Sequence, residues 1–254
     1  MSDFDRNIAA RGGYADRAVA VDAGLRAYMI RVYNSMATAV ALTGVVAWLT
    51  FQMAVVTDAA GNITALTAFG QAVFNPVTMI VLLLGTLGLV FFISFRIHKL
   101  EAGTAWLLFM VYSGLLGVTL ASIFLTYTGG SIARVFFISA ASFGALSLWG
   151  YTTQRNLSGM GSFLIMGLFG IIIASLVNLF LASTMMQFII SVVGVLIFAG
   201  LTAYDTQRLK NEYIYGAMDG EVMERSAIMG ALTLYLDFLN LFTMLLSLLG
   251  SRDE

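Results

Sequence analysis

Two stretches decide how this chain is read: Leu201-Thr202-Ala203-Tyr204-Asp205-Thr206-Gln207-Arg208 and Leu234-Tyr235-Leu236-Asp237-Phe238-Leu239-Asn240. The first closes a long apolar run (185–204) with a carboxylate. The second carries a carboxylate inside the next apolar run (228–249). An ionised acid at the centre of a hydrocarbon layer costs about 3 kcal/mol on insertion scales. Two acids on consecutive apolar segments therefore need a reason, and the rest of the chain supplies the setting for one.

The chain has 254 residues, of which 59% are hydrophobic and only 11% charged. Its mean hydropathy of +0.90 lies outside the range of a soluble domain and inside that of a polytopic membrane protein. A net charge of −1 gives no basic field for nucleic acid. The absence of cysteine excludes disulfides, thiolate metal sites and a cysteine nucleophile. One histidine, His98, excludes a multi-histidine zinc site. One proline, Pro76, lets nearly every apolar run continue as an unbroken helix.

Seven apolar runs follow a polar segment: 31–56, 76–95, 104–127, 132–151, 160–182, 185–204 and 228–249. Each approaches the ~20 residues that cross ~30 Å of hydrocarbon as a helix. The fifth and sixth are separated only by Ala182-Ser183-Thr184, and a single helix through both would overshoot the bilayer, so a tight hairpin is expected there. The first 26 residues mix acids with arginines and precede a run too long for a signal peptide. They read as a flexible cytosolic tail, 27–250 as the membrane domain and 251–254 as a short C-terminal tail. With the N-terminus inside, all but Arg134 and Arg252 of the thirteen Lys and Arg residues fall on the cytosolic side. The positive-inside rule therefore selects this orientation.

In this frame Asp205 ends the sixth span at the cytosolic face. Asp237 lies nine residues into the seventh, or ~14 Å deep at ~1.5 Å per residue. Asp205 could be a solvated residue at a helix end; Asp237, with apolar neighbours on both sides, must face the bundle interior and find a partner. Two carboxylates in one poorly solvated site cannot both ionise cheaply, so they hold a proton between them. Arg96, closing the second span in Ser94-Phe95-Arg96-Ile97-His98-Lys99, is either part of a basic loop or the cation that neutralises the pair. His98 reads as an interfacial residue, and Arg134 as a side chain snorkelling to the far surface. Paired aspartates on adjacent membrane helices also suit an intramembrane aspartic protease. The second site here has no Gly-x-Gly-Asp, however, and the sole proline cannot supply a Pro-Ala-Leu motif. No glycine-rich phosphate loop occurs either, so neither an enzyme nor a cofactor is expected.

Tyr204-Asp205-Thr206-Gln207, the stretch Ser226 to Phe242 around Asp237, and Arg31-Val32-Tyr33-Asn34 at the first span resemble the Bax-inhibitor (transmembrane Bax inhibitor motif) family, and its bacterial inner-membrane members in particular. The resemblance covers residues 27 to 250. It implies an all-α bundle of seven membrane helices with the seventh at the centre, wrapped by the other six. It also implies a pH-sensitive calcium leak, in which an aspartate pair shares a proton and engages an arginine from the second helix. By motif position these residues are Asp205, Asp237 and Arg96, and the two aspartates are also the oxygen ligands a passing calcium ion would meet. The segment 206–226, with Glu212, Asp219, Glu221 and Glu224, is expected as an acidic loop longer than in the shortest relatives. That loop and the tail leave a rival reading open, a membrane regulator that binds a membrane protease or another membrane protein.

Overall fold

A computed structural model describes residues 23–58, 63–214 and 220–252, with the helical backbone of 3–22 and 215 in addition. Eight α-helices and one hairpin make up the described chain: α1 Asp3–Ala54, β1 Val55–Thr57, β2 Ile63–Leu66, α2 Ala68–Val73, α3 Pro76–Arg96, α4 Ala102–Leu120, α5 Gly129–Thr152, α6 Ser158–Leu181, α7 Thr184–Tyr215 and α8 Gly220–Leu249. Short 3₁₀ turns extend α3 through Lys99 and α4 through Leu125. All but α2 are long and apolar enough to cross a membrane. The seven expected spans are these helices, and the protein is an all-α integral membrane protein.

The helix boundaries follow local chemistry. Asn75 caps α3, its side chain accepting from the Val77 amide, with Pro76 at the first helical position, where its missing N–H costs nothing. Thr128 caps α5 by accepting from Ser131. The expected hairpin between the fifth and sixth spans is present. Ala182 adopts a left-handed conformation (φ 47°), unusual for a residue with a Cβ, and the Asn178 side chain accepts from the Ser183 amide beyond it. At the same end of the bundle, β1 and β2 pair as an antiparallel hairpin between the first two spans.

Burial sorts the helices. Half of the apolar window of α8 is buried, against 11% for α3 and for α6. The expectation of a central seventh span holds: α8 packs against α1, α4, α5 and α7. The other two spans sit further out, α3 packing chiefly on α4 and α6 on α7. Their exposed Leu, Ile and Phe side chains form the lipid-facing surface.

One expectation is corrected here. The segment 206–226 is not a loop: α7 continues to Tyr215 and α8 begins at Gly220. Glu212, Glu221 and Glu224 therefore lie on helices, while Asp219 is outside the described residues. Sequence polarity after Asp205 hid a helix that keeps burying one stripe, Asp205, Thr206, Leu209, where a four-residue step brings side chains to one face. The tail 1–26 lies, up to residue 22, outside the residues whose side chains are described; the helical backbone of α1 runs from Asp3.

Candidate functional site

The antiparallel pair α7 and α8 builds the site. Toward the end of the bundle that holds most of the basic residues, Leu209 packs where a Cβ on Gly230 would stand. Toward the opposite end, the Ser191 hydroxyl donates to Ser247 (3.0 Å). Between these contacts Asp205 and Asp237 face each other, each about 5% exposed. Their carboxyl groups lie close enough to act on one another, so that a proton carried by one can be shared with the other. Two carboxyl oxygens meet in a hydrogen bond only with a proton between them. Oδ2 of Asp237 is enclosed and meets no N–H or hydroxyl donor. The carboxyl of Asp205, facing Asp237 across the seam, can supply a proton to the pair.

Asp205 is thus not a solvated helix end. It is buried in mid-helix, with ten further helical residues after it. On its other side Oδ1 accepts from Nη2 of Arg208 at 3.0 Å, and that guanidinium, 45% exposed, lies 6.0 Å from the centre of the Tyr204 ring. The arrangement runs from solvent inward: Arg208, then Asp205, then Asp237.

Arg96 is not in it. The side chain is exposed and, among the described residues, forms no ion pair or hydrogen bond. The turn that follows it packs on the start of α8, with Ile97 buried, but the Arg96 side chain points to the surface. His98 is exposed in the 3₁₀ turn after Arg96, and its carbonyl accepts from Arg225 (3.3 Å). Arg134 is exposed near the opposite end.

Residues on both sides of the pair fix its walls. On α7, Thr206 shares a hydrogen bond with Ser147 of α5 (2.8 Å), which in turn bonds the Tyr33 hydroxyl of α1. Gln207 accepts from the Leu157 amide and donates to the Arg155 carbonyl, both at 2.8 Å, clamping the α5–α6 turn. Lys210 donates to the Tyr151 carbonyl (2.8 Å). Close approach of α5 is possible because Gly150 lies where a Cβ would stand 2.2 Å from the Ala203 carbonyl oxygen. On α8, the Tyr235 hydroxyl bonds Thr43 of α1 at 2.7 Å, and Thr43 donates to the Ser113 carbonyl of α4 at 2.9 Å. Phe109 and Tyr112 meet the Tyr235 ring edge-on.

The quoted motif contained Gln207 and Arg208, but their roles depended on α7 continuing as a helix. Thr43 and Ser113 carried no signal, since hydroxyls are common in membrane helices and a partner 192 residues away cannot be read from spacing. Among the described residues, no group of three or more His, Cys, Asp or Glu is placed to hold a metal. The aspartate pair offers too few oxygens for a resident calcium, which takes six to eight.

Comparison with known proteins agrees with this architecture. A family model described as inhibitor of apoptosis-promoting Bax1 matches residues 25–254. The inner membrane protein YbhL of Escherichia coli is 46% identical over 240 residues, 94% of this chain and 97% of that protein. An uncharacterized protein of Rickettsia prowazekii is 46% identical across 92% of this chain and 93% of its own length. One from Caulobacter vibrioides is 42% identical over 260 aligned residues, covering both chains fully. With the match running through all seven spans and both acid-bearing motifs, the chain belongs to the Bax inhibitor family of integral membrane proteins.

Proposed function

We propose that this protein is a passive, pH-sensitive calcium leak of a bacterial inner membrane, gated by the Asp205–Asp237 pair. One observation carries the reading: two buried carboxyls from adjacent packed helices face each other, and one of the Asp237 oxygens is enclosed with no N–H or hydroxyl donor. A proton between them holds α7 against α8. Losing it leaves two negative charges side by side in a poorly solvated place, a repulsion that favours separation of the helices or entry of a cation. Calcium suits carboxylate oxygens, and a pair too sparse to retain the ion suits a path through which it passes. Arg208, not Arg96, is the cation that engages the pair in this arrangement, reaching Asp205 from the solvent side.

The E. coli relative is an inner membrane protein, which supports that membrane for this chain. The end rich in Lys and Arg faces the cytosol by the positive-inside rule, which puts Arg208 on the cytosolic approach to the pair.

The test is calcium flux into liposomes containing the purified protein, wild type against Asp237→Asn, stepped between about pH 6 and pH 8, a range that brackets neutral titration. The expected result is a wild-type flux that changes with pH and a variant flux that does not. Flux no greater than in empty vesicles at either pH would overturn the proposal.

A further inference from the structure

The motif Arg31-Val32-Tyr33-Asn34 takes no direct part in the aspartate pair, yet it forms one wall of a second feature. At the basic end, between the first turns of α1's apolar part, α4 and α8, a cavity of about 340 Å³ opens to the surface. It is lined by Arg31, Asn34 and Ser35 of α1, Gly103 and Trp106 of α4, and Glu224 of α8. Arg31 Nη1 donates to Glu224 Oε1 at 3.0 Å, and both side chains are about half exposed. That single contact leaves most of the five guanidinium N–H donors, and the second carboxylate oxygen, free for another group. The side chains of Asn34, Ser35 and Trp106 make no hydrogen bond among the described residues. Gly103 faces open space, since a Cβ there would meet nothing within 4 Å.

These donors surround an open volume at the basic end of the bundle, with a half-exposed Trp beside it, a residue favoured at membrane–water boundaries. An exposed ion pair is worth at most ~1 kcal/mol to the fold, so it opens readily to admit a ligand. The chemistry is two-signed. One strong cation with neutral donors fits a phosphodiester, and one carboxylate fits an adjacent ammonium.

We propose that this cavity binds the headgroup of a phospholipid bearing a primary amine. The phosphate lies on Arg31, Asn34 and Ser35, the ammonium on Glu224, and the acyl chains run down the outer surface past Trp106. A phosphate could equally come from solution, so the test separates the two sources.

The experiment measures binding to the purified full chain in detergent by native mass spectrometry and thermal shift, and needs no flux. The probes are short-chain phosphatidylethanolamine, short-chain phosphatidylglycerol and inorganic phosphate. The expected result is that the amine lipid binds and stabilises while the other two do so at least about tenfold more weakly, the loss of one charge-assisted hydrogen bond. Arg31→Gln weakens the amine lipid by a similar factor. Glu224→Gln abolishes the preference for amine over glycerol headgroup. Gly103→Leu, which fills the open space without touching the ion pair, removes binding while leaving the unliganded melting temperature in place. Equal binding of the two lipids by the wild type, displacement by inorganic phosphate at matching concentration, or undiminished binding by Gly103→Leu would each overturn the proposal.

Discussion

Tyr235 and Asp237 are two residues apart on the same central helix, equally removed from solvent, and treated in opposite ways. The hydroxyl of Tyr235 has a partner at 2.7 Å, which is itself bonded onward, and the ring is held by two aromatic edges. The carboxyl of Asp237 has an enclosed oxygen with no donor but the one its neighbouring acid can offer. A buried polar group with every bond made fixes the helices around it. One that depends on a proton is satisfied in one protonation state and costly in the other. Tyr235 anchors α8 to α1 and α4; Asp237 leaves its junction with α7 conditional.

The comparison can be broken by substitutions at each residue. Tyr235→Ala should have the largest effect, about 3–5 kcal/mol lost for a large core aromatic, read as a fall in melting temperature of the purified protein. Gly150→Ala comes next. The new methyl would press on the Ala203 backbone rather than on a mobile side chain, and overpacking of this kind costs about 1–3 kcal/mol, with altered flux, because Ala203 sits two residues before Asp205. Tyr235→Phe keeps the ring and drops one hydrogen bond, for a loss of ~1 kcal/mol. Asp237→Asn should do the reverse of all three, leaving the melting temperature level or raising it, because it removes the charge that one protonation state leaves uncompensated. If Asp237→Asn destabilises as much as Tyr235→Ala, the acid is a structural anchor too and the contrast fails.

The sequence showed the membrane spans, the hairpin at Ala182 and the two acids, because each is signalled within a short window: hydropathy, span length, or a charge where none is expected. It did not show that the acids lie at one depth. Thr206-Gln207-Arg208-Leu209-Lys210 is polar enough to pass for a loop, and the buried stripe that keeps it helical emerges only when α5 and α8 are in place to cover Thr206 and Leu209. For the same reason Arg96 looked like the partner cation. Its position at a helix end on the correct side was legible, whereas the peripheral placement of α3 depends on which helices pack together, and hydropathy carries no trace of that.

The smallest expected change in stability therefore belongs to the sharpest test of the site. Arg208→Gln removes a guanidinium that is 45% exposed, from an ion pair one helical turn long, so the melting temperature should move by no more than ~1 kcal/mol of stability. Its effect on flux should be disproportionate, because Asp205 pairs with the solvent-facing cation and faces the enclosed acid. The pH dependence of calcium flux should shift in Arg208→Gln and stay unchanged in Arg96→Gln, measured side by side in liposomes. A shift in Arg96→Gln with none in Arg208→Gln would mean that α3 swings inward when the pair changes state. Arg208 would then be only an interfacial residue beside the site.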